Sequence, residues 1–151
     1  MDAMDMTLRD QTLRDRTLAH ALARVALGTN ISIHGLARMP HIAPFAAQMR
    51  VEFSQTFLPG ALVEATGYAI VVAEAGIGLL ILAGLRLRIA LILGLVLMIV
   101  LQFGTCVRQD WNVAGLQLPY VGLYALLLAT CRYDRYSVDG LLRGNREPAY
   151  L

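Results

Sequence analysis

Two long stretches without a charged residue most constrain what this chain can fold into. Residues 89–107 provide 19 consecutive residues without a charge, and residues 111–131 provide 21. A third stretch, residues 53–85, contains only two charged side chains, Glu64 and Glu74. A helix needs roughly 20 apolar residues to cross the hydrocarbon core of a bilayer. With only 16% charged residues overall, the chain is predicted to be solvated largely by lipid.

The apolar stretches predict an all-α membrane protein with a four-transmembrane-helix bundle. The predicted spans are residues 18–39, 61–84, 87–106 and 115–132. They divide the chain into a polar cytoplasmic arm, a transmembrane domain and a cytoplasmic interfacial tail, at residues 1–16, 17–133 and 134–151. A short amphipathic helix is also predicted, lying at the membrane interface between spans one and two. Its apolar stripe repeats every four residues and consists of Phe45, Met49, Phe53 and Phe57.

The positions of the arginines predict the orientation in the membrane. All 13 basic residues are arginines, and Arg24 lies within span one. Of the others, nine fall on the side that holds both termini and three on the opposite side. Basic residues concentrate on the cytoplasmic side of membrane proteins, so both termini are predicted to be cytoplasmic. Nucleic-acid binding is disfavoured because these arginines flank membrane spans.

The two cysteines are predicted at opposite ends of the spans. Cys106 ends span three on the outer side and Cys131 ends span four on the inner side, too far apart for a disulfide. Neither has a second cysteine or a histidine at the spacing of metal ligands, so no metal site is predicted. The sequence contains no haem, flavin or iron–sulfur motif, and no covalently bound cofactor is expected.

Span one carries a stripe of polar side chains. On a helix these residues fall within an arc of about 120°. Ionisable groups inside a membrane usually face the bundle interior, because lipid offers them no hydrogen-bond partners. The stripe is therefore predicted to face the other spans, and it consists of His20, Arg24, Asn30, His34 and Arg38.

Depth along the spans, at 1.5 Å per residue, predicts two polar groups inside the bundle. The inner group is a buried ion pair between Arg24 and Glu74, both roughly 20 Å below the outer ends of their spans. The outer group is a candidate quinone and proton cluster. It consists of Asn30, His34, Glu64, Tyr68, Gln102 and Tyr120.

A quinone suits the outer group because its two carbonyl oxygens need hydrogen-bond donors while its tail is apolar. His34 can donate and can relay a proton near neutral pH. Tyr68 or Tyr120 can donate to the second carbonyl. The same side chains also fit a purely structural role, since interhelical hydrogen bonds stabilise membrane bundles by about 0.6 kcal/mol each on average. Both interpretations stay open at this point.

Three stretches of the chain resemble the DoxX family of small four-helix membrane proteins. They are RVALGTNISIHGLARMP in span one, AEAGIGLLILAGLRLRIA across spans two and three, and RYDRYSVDGLL after span four. The resemblance implies a four-helix bundle in the bacterial inner membrane. It also implies an association with redox chemistry, since the family takes its name from a subunit of a thiosulfate:quinone oxidoreductase. It implies no catalytic residues for this chain.

The preferred hypothesis is a non-catalytic integral membrane subunit of a redox or quinone-linked complex. Such a subunit anchors a partner and positions quinone, and it is not expected to be an enzyme on its own. Its predicted partners are membrane lipid and other protein subunits. The alternative is a purely structural or assembly subunit that packs against a larger membrane complex. A small transporter is the third hypothesis, disfavoured because four spans without broken-helix repeats provide little machinery for alternating access.

Overall fold

The computed structural model describes residues 3–144, with the side chains of residues 8–142, and that part of the chain is helical without a strand. The prediction of an all-α protein is confirmed. Single turns of 3₁₀-helix, Met39–His41 and Cys131–Tyr133, follow the first and fifth α-helices. The α-helices are α1 (Ala3–Arg38), α2 (Ile42–Glu52), α3 (Gly60–Ala83), α4 (Leu87–Val107), α5 (Trp111–Ala129) and α6 (Val138–Gly144).

Three of these helices, α3, α4 and α5, are long and apolar enough to cross a bilayer. Their ends lie within four residues of predicted spans two, three and four. α1 contains the predicted first span up to residue 38. Among the described residues, it is not one of the helices that are long and apolar enough to cross a bilayer. The polar stripe explains this, because side chains such as Arg24 and Asn30 lower the mean hydropathy of α1.

The turn between α3 and α4 defines one end of the bundle, which we call the inner end; the opposite end is the outer end. Gly84 ends α3 with a φ of 66°, in the left-handed region that favours glycine. Its N–H bonds to the carbonyl of Ile81, and the N–H of Leu85 bonds to that of Leu80. α4 begins at Leu87, so α3 and α4 are antiparallel neighbours, as the sequence predicted.

α5 begins at Trp111, four residues before the predicted start of span four. Asp110 explains the earlier start, because its carboxylate accepts a hydrogen bond from the N–H of Val113 at 3.2 Å. Pro119 lies inside the helix.

Very close contact between α1 and α3 fixes how these helices align. A Cβ on Gly35 would clash with the backbone of Ala75, and one on Gly78 would clash with the backbone of Ser32. Only glycine permits backbones to approach this closely in a membrane bundle. α1 and α3 run antiparallel, and these contacts set their alignment. Residue 39, just after the end of α1, therefore lies at the same height as about residue 71, halfway along α3.

α2 continues beside the first half of α3. Ala46 packs against Gly67, and Arg50 Nη1 lies 3.1 Å from Glu64 Oε2. The second half of α1 and α2 therefore run in series along α3, interrupted by the 3₁₀ turn at Met39–His41. The short helix predicted between spans one and two is present as α2, and it lies along α3, where its apolar residues find a packing partner.

The aromatic stripe predicted for this segment divides between two environments. Phe53 follows α2 and is only 7% exposed, while Phe57 lies outside the helix and is 78% exposed. Phe45 and Met49 are half-buried. The stripe therefore covers part of the bundle interior and does not form one continuous lipid-facing surface.

The predicted polar arm is the first part of α1, which is helical from Ala3. The side chains of residues 8–16 are exposed, and Thr17 is the first buried one in the described part of α1. Arg16 Nη1 donates to the hydroxyl of Tyr133 at 2.9 Å, just beyond the end of α5. Residues 3–16 therefore extend past the inner end of the bundle.

The apolar core lies between α1, α3, α4 and α5. α1 packs chiefly on α3, α5 packs chiefly on α4, and α3 and α4 join the two pairs. The contact between α4 and α5 is close because the ring of Tyr124 lies where Gly94 has no side chain. The largest fully buried side chains are Leu27, Val71, Ile81, Leu87, Leu91, Tyr124 and Leu127.

Candidate functional site

A cavity of about 600 Å³ opens in the outer half of the bundle. Five helices border it: the end of α1, α2, the first half of α3, the second half of α4 and the first half of α5. Its walls are mainly apolar, with side chains such as Ile31, Val63, Ile70, Met98 and Leu101. We call it the outer cavity. An apolar cleft of this size with a few polar groups is typical of a small-molecule site.

An ion pair between half-buried Arg38 and buried Glu74 forms the polar wall of the outer cavity. Arg38 Nη1 donates to Glu74 Oε2 at 2.6 Å, and the Glu74 side chain is 6% exposed. The Arg38 side chain is 36% exposed, and its guanidinium lies 4.9 Å from the centroid of the Phe45 ring. A guanidinium has five N–H donors. Arg38 therefore borders the cavity with donor groups beyond the one that Glu74 accepts.

Further hydrogen-bonding groups line the outer cavity. His34 lies on α1, one turn before Arg38, and Tyr120 lies on α5. On α4, Thr105 Oγ1 lies 3.1 Å from Gln117 Oε1. Donors from α1 and α5 thus approach one cavity from two sides, which is the arrangement needed to bind a ligand with two separated acceptors.

A second ion pair lies at the outer edge of the cavity. Arg108 Nη1 donates to Glu52 Oε2 at 2.6 Å, and the guanidinium carbon of Arg108 lies 5.5 Å from the centroid of the Phe53 ring. The side chains of Arg108 and Glu52 are 29% and 34% exposed. This pair connects the ends of α2 and α4, so it borders the cavity on the side away from the core.

The predicted quinone cluster is only partly assembled. His34 and Tyr120 line the outer cavity, whereas the other four residues lie elsewhere. Glu64 bonds to Arg50 on the far side of α2, and Tyr68 is 38% exposed. Gln102 turns away from the cavity and donates to the carbonyl of Ala114 at 3.3 Å.

Asn30 is exposed, on nearly the opposite face of α1 from the glycine contacts with α3. The predicted polar stripe covers an arc too wide for one interface. Arg24 lies at the edge that faces α3 and is 3% exposed, whereas Asn30 lies at the other edge. The prediction that the whole stripe faces the bundle interior is therefore corrected at Asn30.

The predicted ion pair between Arg24 and Glu74 is not formed, because each residue has another partner. The prediction took residues 39 and 61 as level outer ends. The contact of Gly35 with Ala75 instead sets residue 39 level with about residue 71. An offset of ten residues corresponds to roughly 15 Å along a helix. Glu74 thus comes within reach of Arg38, and Arg24 lies at the inner end of α3.

Arg24 belongs to an inner polar cluster with His20, Thr130, Asp134 and Ser137. Arg24 Nη1 donates to the carbonyls of Ile81 and Leu82 at 2.8 and 2.6 Å, and Nη2 donates to that of Tyr136 at 2.6 Å. Its Nε lies 3.7 Å from Asp134 Oδ1. These contacts satisfy carbonyls at the end of α3, where a helix carries partial negative charge.

The rest of the cluster holds the segment after α5 against the bundle. Ser137 donates to Asp134 Oδ2 at 2.7 Å, and His20 Nδ1 lies 2.9 Å from Thr130 Oγ1. Nearby, a hydrogen bond from Arg16 lowers the pKa of the Tyr133 phenol below its ordinary value. The predicted interfacial tail is therefore packed on the helices at least as far as Ser137.

Asp139 connects this segment to the turn between α3 and α4. Its carboxylate accepts hydrogen bonds from the N–H groups of Arg86 and Leu87, each at 3.0 Å. Its own N–H donates to the carbonyl of Gly84 at 3.0 Å. Asp139 thus provides the N-terminal cap of α4 from a distant part of the chain.

Sequence reasoning missed the Arg38–Glu74 pair and the role of the last segment. Arg38 was placed in the polar stripe, one turn after His34, but Glu74 was paired with Arg24 instead. The signal that places it is the row of small residues Gly28, Ser32 and Gly35, which sets the register with α3. The contacts of Asp134 and Asp139 could not be predicted from helical periodicity or from depth, because both residues lie outside the spans.

In the part of the chain that the structure describes, no three histidine, cysteine or carboxylate side chains come together as metal ligands. Neither Cys106 nor Cys131 forms a disulfide within the described residues. Comparisons with family models, with curated proteins and with solved structures found no match for this chain.

Proposed function

We propose that the chain is a non-catalytic integral membrane subunit of a redox or quinone-linked complex that holds a quinone ring in its outer cavity. The observation that carries this proposal is the ion pair between half-buried Arg38 and buried Glu74 at the wall of an otherwise apolar cavity of about 600 Å³. A buried carboxylate such as Glu74 is costly, so its position beside an apolar cavity favours a functional role.

The chemistry of a quinone matches the groups around this cavity. A quinone ring is flat and apolar except for two carbonyl oxygens on opposite edges. Arg38 and His34 on α1 offer donors to one carbonyl, and Tyr120 on α5 offers a donor to the other. Met98 and Ile70 supply apolar surface for the ring between them. His34 is exposed at the cavity wall, where a ligand can reach its ring nitrogens.

The membrane topology that we propose has four crossings. α3, α4 and α5 form three, and the second half of α1 with α2 forms the first, broken at Met39–His41. The charged groups on this first crossing have partners, namely the α3 carbonyls for Arg24 and Glu74 for Arg38. Other faces of α1 present apolar side chains such as Leu22, Val25 and Ile33. The inner end then faces the cytoplasm, in line with the nine arginines on that side.

A partner subunit completes the redox chemistry in this proposal. The chain has no motif for a redox centre, so electrons reach the quinone from a cofactor on another protein. The resemblance to the DoxX family supports this assignment. The residues of α1 that extend past the inner end, with Arg9, Asp10, Arg14 and Asp15 on their surface, offer a charged surface to such a partner.

The same exposed arm also favours a second candidate function, a purely structural or assembly subunit. Nine consecutive exposed residues, 8–16, on a helix that leaves the bundle are suited to docking. In that case the outer cavity holds only membrane lipid. The two functions differ in whether quinone accompanies the protein and whether Arg38 affects its binding.

Quinone binding to the full chain, purified in mild detergent, tests the proposal. We expect extracted ligands to include quinone and a quinone with a short tail to bind the purified protein. Arg38→Gln should weaken binding about tenfold, since a charge-assisted hydrogen bond contributes about 1.5–3 kcal/mol. Arg50→Gln is the matched control, because Arg50 pairs with Glu64 outside the cavity and should change binding less than about twofold.

A second pair of variants keeps this test decisive if Arg38→Gln fails to fold. His34→Ala should weaken binding, whereas His41→Ala should not, because His41 is exposed and lies outside the cavity lining. Absence of quinone from the preparation, together with no measurable binding, would contradict the proposal. If a larger assembly co-purifies in that case, the structural function replaces it.

A further inference from the structure

We propose that the groove between α3 and α4 binds the isoprenoid tail of the quinone whose ring occupies the outer cavity. This inference rests on the proposed function and specifies its ligand as a quinone with a long tail. It follows from the shape of the groove, its chemistry and its continuity with the outer cavity.

The groove has a volume of about 520 Å³ and lies on the outside of the helix pair. Every residue that lines it is apolar except Thr66, whose hydroxyl donates to the carbonyl of Leu62 at 2.8 Å and is thereby satisfied within α3. The lining from α3 is Thr66, Ala69, Ile70, Ala73, Gly76, Ile77 and Leu80. α4 contributes Leu93, Val96, Leu97 and Val100.

The groove and the outer cavity are continuous. Two residues of each helix line both, namely Thr66, Ile70, Leu97 and Val100. A ligand with its ring in the cavity can therefore leave through the gap between α3 and α4 and enter the groove directly. The ion pair and the other donors remain at the ring end, and the tail end offers only apolar contact.

The groove is long and narrow. From Thr66 to Leu80 it follows α3 for roughly 21 Å, most of a hydrocarbon core of roughly 30 Å. Ala69, Ala73 and Gly76 have spacings of four and three residues, so they share one face of α3 and leave it without bulky side chains. A linear hydrocarbon chain can follow a groove of this length along the small-residue face of α3.

Gly76 offers a direct way to fill the groove. A Cβ at Gly76 would meet no atom within 4 Å, so a larger side chain there occupies the groove without disturbing the helices. Gly122 on α5 has the same open surroundings but lines neither the groove nor the cavity. Gly76→Leu and Gly122→Leu are therefore a matched pair of variants.

The experiment compares the affinity of each variant for two quinones with the same ring, one with a long isoprenoid tail and one with a short tail. All measurements use the full chain in the same detergent, so differences in micelle partitioning cancel between variants. We expect Gly76→Leu to weaken binding of the long-tailed quinone about tenfold and to leave the short-tailed quinone within about twofold of wild type. Gly122→Leu should bind both like wild type.

Other occupants of the groove give different results. If a phospholipid chain or a helix of another copy fills it, Gly76→Leu leaves both quinone affinities unchanged, and the inference is overturned. Equal weakening of both quinones overturns it as well, because the substitution then acts on the ring site. If the wild type binds neither quinone, the proposed function fails, and this inference fails with it.

Discussion

The two ends of the bundle use arginines of the same helix in opposite ways. Arg24 at the inner end is 3% exposed and donates to three backbone carbonyls. Arg38, fourteen residues later at the outer cavity, bonds to one carboxylate and has a 36% exposed side chain. The chain thus buries one arginine in a filled cluster and leaves the other beside a cavity.

This difference separates a charge held within the packed structure from a charge that faces a cavity. Arg24 donates hydrogen bonds to the end of α3 and to the segment after α5, so removal of Arg24 leaves several acceptors without a partner. Arg38 borders open volume and has donors to spare for a ligand. We therefore expect stability to depend mainly on the inner end and binding to depend mainly on the outer cavity.

The largest effect on stability should come from Arg24→Gln. Removal of one partner from a buried charged cluster costs about 3–5 kcal/mol, here because three carbonyls lose their donor and Asp134 loses its ion-pair partner. Thermal or denaturant unfolding in detergent measures this loss. Arg88→Gln is the control on the exposed surface of the same end and should stay within about 0.5 kcal/mol of wild type. A loss below about 1 kcal/mol for Arg24→Gln would show that the cluster is not what holds the inner end together.

A double-mutant cycle on Arg38 and Glu74 should give the next largest effect. We expect a coupling energy of about 1–3 kcal/mol between Arg38→Gln and Glu74→Gln, at the lower end because Arg38 is partly exposed to solvent. The same cycle on Arg50 and Glu64, whose side chains are 61% and 33% exposed, should give less than about 1 kcal/mol. Equal coupling energies in the two cycles would contradict this expectation. They would mean that the Arg38–Glu74 pair is as accessible to solvent as the Arg50–Glu64 pair.

Asp139→Ala should have the smallest effect of the three, about 1–2 kcal/mol. It removes the cap from the N–H groups of Arg86 and Leu87 and loosens the hold of the last segment on the inner end. Hydrogen exchange at these two amides should accelerate, while quinone binding stays unchanged. Asp15→Ala, an exposed carboxylate of the arm, is the control. Loss of quinone binding in Asp139→Ala would contradict the account, because it would show that the inner end affects binding in the outer cavity.

Much of the fold could be predicted because lipid solvation leaves a strong pattern in the sequence. Long apolar runs predicted α3, α4 and α5 to within four residues at their ends. The predicted spans 61–84 and 87–106 left room only for a tight turn between α3 and α4, and the structure has that turn. α1 was harder, because its polar stripe lowers its hydropathy and its helix continues into the exposed arm.

The candidate site was predicted less well than the fold. The depth of a residue along its span does not determine how its helix is rotated or how that helix is aligned with its neighbours. Depth counted along the chain grouped Glu64 and Gln102 with His34, although both turn away from the cavity. The depth count also predicted an ion pair between Arg24 and Glu74, because it misaligned α1 and α3 by roughly 15 Å along their axes. The contacts of Gly35 and Gly78 set the true register, and the return of Asp134 to α1 is a tertiary contact without a local signal.

Photolabelling with a light-reactive quinone tests the separation of the two ends most directly. After irradiation of the full chain in mild detergent, peptide mapping locates the labelled residues. We expect label on peptides that line the outer cavity, around Arg38, Thr105 and Tyr120, with competition by unlabelled quinone and loss in Arg38→Gln. Label concentrated at the inner polar cluster, or label that unlabelled quinone does not displace, would contradict the account.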